Sequence, residues 1–197
     1  MNAFESNVKF ISDRVIAFIL LIVFSPLFLV CYIAVKMEDG GPAIFRQERI
    51  GHLGYPFYIY KFRSMRLDAE RFGPELYGGK HDLRLTKIGK FLRVHHLDEL
   101  PQLWNVLIGD MSFVGPRPER KFYIDQIMRV DSRYRLLYQL RPGVTSYATL
   151  YNGYTDTIEK MLYRLRYDLF YLEHASLCFD FKILIKTFLR IVFGKKF

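Results

Sequence analysis

Asp98 and Glu99 stand side by side in the stretch HHLDELPQLWNVLIGDMSFVGPRPE, just ahead of Pro101. Proline fits the first turn of a helix, where its missing N–H has no intrahelical partner, and Leu100, Leu103, Trp104 and Leu107 then form one apolar face. Both carboxylates are therefore expected at a helix N-terminus. In isolation such a pair is a helix cap, since Asp is a preferred capping residue and acids are favoured in the first turn. The same placement suits chemistry, because the positive end of the helix dipole keeps carboxylates ionised and available as nucleophile or metal ligand. Arg93 lies upstream, and Asp110, Gly115, Arg117 and Glu119 follow in a turn rich in Gly and Pro. Acids that can hold a divalent cation, beside arginines that can grip phosphate oxygens, are what phosphoryl transfer requires. His95 and His96 adjoin the acids, but neighbouring residues point in different directions on any regular element, so they are read as surroundings rather than ligands.

The elements that must position these groups are partly legible. Between Gly40 and Met65, Tyr58, Tyr60 and Phe62 alternate with Phe57, Ile59 and Lys61, a strand pattern, and Gly51 and Gly54 flank a turn at His52-Leu53. A hairpin is expected. Its last residues place Lys61, Arg63 and Ser64 among aromatics, which suits phosphate contact and equally a solvated strand end. Residues 66–84 are polar and Gly-rich and read as a loop with one short helical turn.

From Val15 to Val35 the chain carries twenty-one residues without a charge, preceded by Lys9 and Arg14 and followed by Lys36. That is long enough to span a bilayer, whose apolar core needs about 20 helical residues. No small-residue cleavage pattern follows, which disfavours a secretory signal. Ser25-Pro26 falls in the middle, where proline removes a backbone hydrogen bond, so a kink is expected. A bent spanning anchor and a re-entrant helix that enters and leaves by one face are both open; positive charge at both ends fits poorly with placing one end outside. At the other end of the chain, residues 179–197 set Lys182, Lys186 and Arg190 in a stripe opposite Phe, Ile and Leu. This pattern fits a helix in a lipid headgroup region or one packed on the core with a solvated basic face.

With 197 residues, 51% of them apolar, the chain has room for one domain plus a membrane element. Lys and Arg number 29 against 20 Asp and Glu. The first 35 residues carry two charges of each sign, so the whole excess lies in residues 36–197. Nucleic acid, an anionic membrane leaflet and a phosphate-rich substrate would each suit such a surface. Cys31 and Cys178 form no disulfide framework and no zinc-like spacing is present, which fits a reducing compartment.

The stretch LDELPQLWNVLIGDMSFVGPRPE resembles the signature of the bacterial sugar transferases, also called monotopic polyprenyl-phosphate phosphoglycosyl transferases. The segment with Ser25-Pro26, the GPAIFRQERIG and KFRSM stretches, DLRLTKIGKFLR, RPGVTS and YDLFYLEHASLCFDFKILIKT extend the resemblance over nearly the whole chain. It implies an enzyme in which Asp98 attacks the β-phosphorus of a UDP-sugar, releases UMP and holds the sugar phosphate as an acyl phosphate until polyprenyl (undecaprenyl) phosphate takes it. Glu99 is implied as base or metal partner, and Mg²⁺ near Asp98 and Glu99 as cofactor. Arg93 and Arg117 are implied as phosphate contacts, joined by Lys61, Arg63, Asp110 and Glu119 as further candidates.

The implied fold is α/β mixed and mostly helical. Residues 1–36 would form a re-entrant membrane helix broken at Ser25 and Pro26, and residues 37–197 a catalytic domain on the cytoplasmic face of the bacterial inner membrane, with a small sheet or hairpin and amphipathic interfacial helices. Membrane lipid is an implied partner, nucleic acid is not, and self-association is left open. The expected form is the catalytic unit alone, serving polysaccharide assembly. His96 stands where many relatives have a hydroxyl, and VTSYATLYNGY replaces a Trp-Ala-Gln-Val-Asn-Gly-Arg-like text, with Asn152-Gly153 keeping part of it; this leaves the donor sugar open. The competing reading is a membrane-tethered basic binding or scaffold protein in which Asp98 and Glu99 merely cap a helix.

Overall fold

The computed structural model describes residues 1–71, 73, 74, 76, 82–152 and 155–193. Helix α1 (Ala3–Val23) opens with a capping box. Asn2 Oδ1 accepts from the Glu5 N–H at 2.8 Å, and the Glu5 carboxylate accepts from the Asn2 N–H at 3.2 Å. The helix stops where Pro26 lacks the N–H that would have bonded the Ile22 carbonyl. The Ser25 hydroxyl donates to that carbonyl instead, at 2.7 Å, and the chain turns by 66° into α2 (Ser25–Asp39). The kink expected at Ser25-Pro26 is present. Among the described residues no single helix is long and apolar enough to cross a membrane, whereas the bent pair meets that length and composition together.

One face of this helix pair belongs to the core of the protein. Ala17 is fully buried with Ile59, Val106 and Met111, and Cys31 and Val35 pack with Ala43, Phe62 and Leu92. The other face leaves Val15, Phe18, Ile19, Ile22, Leu29 and Val30 more than half exposed. An apolar surface of that extent marks a membrane or protein contact.

Strands β1 (Ile44–Ile50) and β2 (Pro56–Phe62) form the expected hairpin, antiparallel with Ile44 opposite Phe62 and Ile50 opposite Pro56. Its turn runs through His52-Leu53-Gly54, with Leu53 and Gly54 at φ of +57° and +78°. Helix α3 (Lys87–Val94) follows, capped by Thr86. Then come α4 (Gln102–Ile108), β3 (Ser112–Val114), α5 (Lys121–Val130), a 3₁₀ stretch over Ser132–Gln139, β4 (Gly143–Thr145), α6 (Thr149–Asn152), α7 (Ile158–His174) and α8 (Leu177–Phe193). The fold is thus mostly helical with little sheet. Strands β3 and β4 pair in parallel, Ser112 with Gly143 and Val114 with Thr145. The contact is tight: a Cβ on Gly115 would lie 2.2 Å from the Arg141 carbonyl oxygen, so only glycine fits there.

A second core joins Ile124 and Ile127 of α5, Tyr134 and Leu137 of the 3₁₀ stretch, and Met161 and Leu165 of α7. A third joins Val114, Leu150, Tyr171 and Ile183, which seats α8. Most of α8 remains outside: Phe181, Phe188 and Ile191 are exposed beside Lys182 and Lys186. Residues 194–197 of the expected terminal helix lie outside the described residues, as does Gly153.

Candidate active site

Helix α3 brings Arg93 to the site, and the chain then reverses at His96, which takes a left-handed conformation with φ of +56°. Histidine is among the residues enriched there. A 3₁₀ turn over Leu97–Glu99 follows, and helix α4 begins only at Gln102, with Pro101 as its N-cap. The two carboxylates therefore sit ahead of α4 and not in its first turn. The reason is packing: side chains three apart eclipse in a 3₁₀ turn, and Leu97 and Leu100 both pack against the core of Phe62 and Leu92.

The apolar face expected for α4 is also revised. Trp104 is 50% exposed, and the buried side chains are Gln102, Leu103, Asn105 and Val106. Asn105 is fully buried because it serves the edge of β2, donating to the Tyr58 carbonyl at 2.7 Å and accepting from the Tyr60 N–H at 3.0 Å. This pins the acid-bearing segment to the strand that ends with Lys61. At its other end, α4 is gripped by two cations: Arg14 of α1 donates to the Ile108 carbonyl at 2.8 Å, and Arg141 donates to the Gly109 carbonyl at 3.1 Å. Their guanidinium groups lie 3.9 and 4.1 Å from the ring centre of Phe10. Cations at a helix C-terminus complement its dipole.

Asp98 is buried, at 3% exposure, with Arg93 Nε 3.9 Å from its carboxylate. Lys61 Nζ lies 2.6 Å from Glu99 Oε1. Burial pushes the Asp98 carboxyl above the usual range, with Lys61 pulling against it and Glu99 adding to the rise. Burial acts the same way on Glu99, but Lys61 and Arg117 outweigh it and hold that carboxyl at about 2. Burial in turn lowers the Lys61 ammonium against the attraction of Glu99. Two neighbouring acids thus have opposite tendencies, the arrangement by which sites divide roles between carboxylates. Arg117 is exposed between Pro116 and Pro118, and its charge is felt at both Lys61 and Glu99.

The remaining sequence candidates lie elsewhere. Arg63 is buried in a bidentate pair with Asp39 and donates to the Pro42 carbonyl at 2.8 Å, fastening α2 to β2. Asp110 lies just past the C-terminus of α4, the end away from Asp98, where burial raises its carboxyl and the nearby Asn105 amide opposes the rise. Glu119 is buried against Arg164 and Arg49. Ser25 and Pro26 shape the helix pair, where the Ser25 hydroxyl bonds the Ile22 carbonyl.

Asp98 and Glu99 also suit a hard cation by chemistry. Mg²⁺ is commonly held by one or two carboxylates plus substrate phosphates. Lys61 occupies one oxygen of Glu99, and among the described residues no group of three or more His, Cys, Asp or Glu side chains is gathered. A cation here would complete its shell with phosphate oxygens.

Asn105, Arg49 and Arg164 escaped the sequence reading. For Arg164 a signal existed. It shares one helical face of α7 with Met161, Leu165, Asp168 and Tyr171, and charges on an apolar face are paired.

The bacterial sugar transferase family model matches residues 4–194. A UDP-glucose:undecaprenyl-phosphate glucose-1-phosphate transferase of Klebsiella pneumoniae is 42% identical over 189 residues, which is 95% of this chain and 40% of that protein. A UDP-N-acetylgalactosamine-undecaprenyl-phosphate N-acetylgalactosaminephosphotransferase of Aeromonas hydrophila is 38% identical over 182 residues, 92% of this chain and 43% of that protein. A UDP-glucose:undecaprenyl-phosphate glucose-1-phosphate transferase of Caulobacter vibrioides is 42% identical over 182 residues, covering 91% of this chain and 67% of that protein. The chain thus spans less than half the length of the first two.

Proposed function

The chain belongs to the bacterial sugar transferase family, and we propose that it moves a sugar 1-phosphate from a UDP-sugar to polyprenyl phosphate, releasing UMP. The observation that carries this reading is the pair of buried Asp98 and half-buried Glu99, with Lys61 on Glu99, Arg93 beside Asp98 and Arg117 at hand.

In the first step an Asp98 carboxylate oxygen attacks the β-phosphorus, a new O–P bond forms, and the bond to UMP breaks. Burial makes Asp98 costly to ionise, and Lys61, Arg93 and His96 oppose that cost. In the second step an oxygen of polyprenyl phosphate attacks the same phosphorus and the carboxylate leaves. Splitting one displacement into two in this way gives ping-pong kinetics. A general base works best with a pKa near the working pH. Glu99, held at about 2, is ill suited to that role, so we assign it to electrostatics and metal holding. Mg²⁺ held by Asp98, Glu99 and the substrate phosphates would supply charge neutralisation. Arg93 and Arg117 orient phosphate oxygens.

A nucleotide sugar dissolved in water and a lipid phosphate meet only at a membrane surface. The exposed apolar face of α1–α2 and the apolar and basic surface of α8 support a re-entrant, one-sided attachment to the cytoplasmic face of the inner membrane, with residues 1–36 embedded and 37–197 at the surface. The lipid-linked sugar is the starting unit of a surface polysaccharide.

The test is UMP release by detergent-solubilised protein with Mg²⁺, undecaprenyl phosphate and a panel of UDP-sugars, beside Asp98→Asn. Release that requires both lipid and Asp98 is expected, and the panel names the sugar. Release unchanged in Asp98→Asn would sink the reading.

A further inference from the structure

Arg117 forms no ion pair or hydrogen bond among the described residues, although Glu119 is two positions away and feels its charge. The surroundings of Glu119 explain this. The Glu119 carboxylate is 4% exposed and accepts a hydrogen bond from Arg164 Nη2, while Arg49 Nη1 stands 3.4 Å from its other oxygen. Arg164 is itself 5% exposed, and its second branch donates to Thr155 Oγ1 at 2.7 Å, which fixes the guanidinium plane. The backbone is held as well. The Glu119 carbonyl accepts from the Ile50 N–H at 3.0 Å, the Pro118 carbonyl accepts from Arg49 at 3.2 Å, and Gly115 donates to the Thr145 carbonyl at 3.0 Å. Residues 115–119 form a short arch anchored at both ends, with a proline on either side of Arg117.

We propose that Arg164 is a positioning residue that saturates Glu119, so that Arg117 stays off this buried anion and is available to the diphosphate of the donor. A buried carboxylate stripped of one partner takes another. With Arg164 neutralised, Arg49 is already on Glu119 and Arg120 is held by Glu70 at 2.7 Å, which leaves Arg117 as the neighbouring cation to be recruited, and its capture by Glu119 draws it from the Lys61–Glu99 side of the arch. The proposal rests on the transferase reading and concerns how that site is kept ready.

The proposal differs from a purely structural role in one respect: removing the anion together with its partner should restore function. UDP binding is measured by titration calorimetry with Mg²⁺ in detergent, for the parent, Arg164→Gln and the double variant Arg164→Gln/Glu119→Gln, each checked for folding by its melting transition. Loss of one charge-assisted phosphate contact in Arg164→Gln is expected to weaken binding about tenfold. The double variant is expected to return to within about threefold of the parent, because Glu119 no longer carries a charge to capture Arg117, and Asp168, the other acid beside Arg164, is raised by burial toward its neutral form. Unchanged binding in folded Arg164→Gln, or a double variant as weak as the single, overturns the proposal, as does a parent that binds no UDP. If Arg164→Gln does not fold, Arg164→Lys takes its place. Lysine gives up the branch to Thr155 but keeps a cation on Glu119, which predicts binding within about threefold of the parent, and a tenfold loss in that folded variant overturns the proposal. UMP release is assayed in parallel. A parent that binds UDP, shows the loss and rescue, and yet releases no UMP from any UDP-sugar with lipid present supports the role of Arg164 and overturns the transferase reading instead.

Discussion

Lys61 Nζ and Glu99 Oε1 are 2.6 Å apart, and this one contact makes two adjacent carboxylates unlike each other. Glu99 is held at about 2, while Asp98 next to it is raised by burial and only partly relieved by the same ammonium.

Replacing Lys61 with Met should therefore move the acid limb of the pH profile. A cation favours the ionised form of a nearby acid, so its removal raises the Asp98 pKa, and the rise of kcat/KM with pH should shift to higher pH. Rate measurements from pH 5 to 9 on both proteins check this. An acid limb that stays in place in the variant would exclude Asp98 as the titrating group.

Asp168 offers a stability test away from the chemistry. Burial raises its carboxyl from 3.8 to about 7, with Arg164 opposing. Between those values the native state keeps a proton that the unfolded chain has lost. The stability this gives is full below pH 4, declines as pH rises toward 7 by up to about 1.4 kcal/mol per pH unit, and is gone above it. Asp168→Asn carries no such proton, so the difference in melting temperature between pH 5 and pH 8 should shrink in the variant.

Gly89 lies where a Cβ would come 2.1 Å from the Ser64 carbonyl oxygen. Gly89→Ala should push α3 off the end of the hairpin and cost about 1–3 kcal/mol, the usual range for overpacking. Because α3 carries Arg93, the loss of turnover should exceed the loss of folded protein. Thermal melts and kcat measured on the same preparation separate the two.

The bend between α1 and α2 rests on Pro26 and on the Ser25 hydroxyl that replaces its missing donor at Ile22. Ser25→Ala/Pro26→Ala restores the backbone N–H and should straighten the pair. In a membrane this would carry the N-terminus to the opposite side, which cysteine-accessibility labelling at Asn2→Cys would report. Unchanged labelling would mean that packing of Ala17 and Val35, rather than the break, sets the angle.

The sequence was most informative where function is written in consecutive residues. The Asp98-Glu99 pair stood out by residue type and, with the family resemblance, drew attention to Arg93, Arg117 and Lys61, whose charges the structure gathers around it; the hairpin was legible by alternation and the bend by proline chemistry. It was least informative where partners are distant in the chain. Arg63 read as a phosphate contact, yet its partner is Asp39 across the hairpin. Glu119 read as part of the site, while Arg164, 45 positions away, shows what it does. Strands β3 and β4 are three residues each and meet through Gly115 and Gly143, too short for periodicity to register. The start of α4 was misplaced because Pro101 fits either side of a helix boundary, and only the burial of Leu97 and Leu100 together selects the 3₁₀ turn.

The inward face of the helix pair has a practical consequence. Ala17 closes the core over Val106 and Met111, Val35 closes it over Phe62 and Leu92, and Arg14 caps the helix that follows the acids. A polypeptide trimmed to begin after Asp39 would lose two of its hydrophobic walls and one end of α4 at once. Such a fragment would bare Val106, Met111, Phe62 and Leu92 to water and is expected to melt below the whole chain, so an inhibitor screen should keep the helix pair in place.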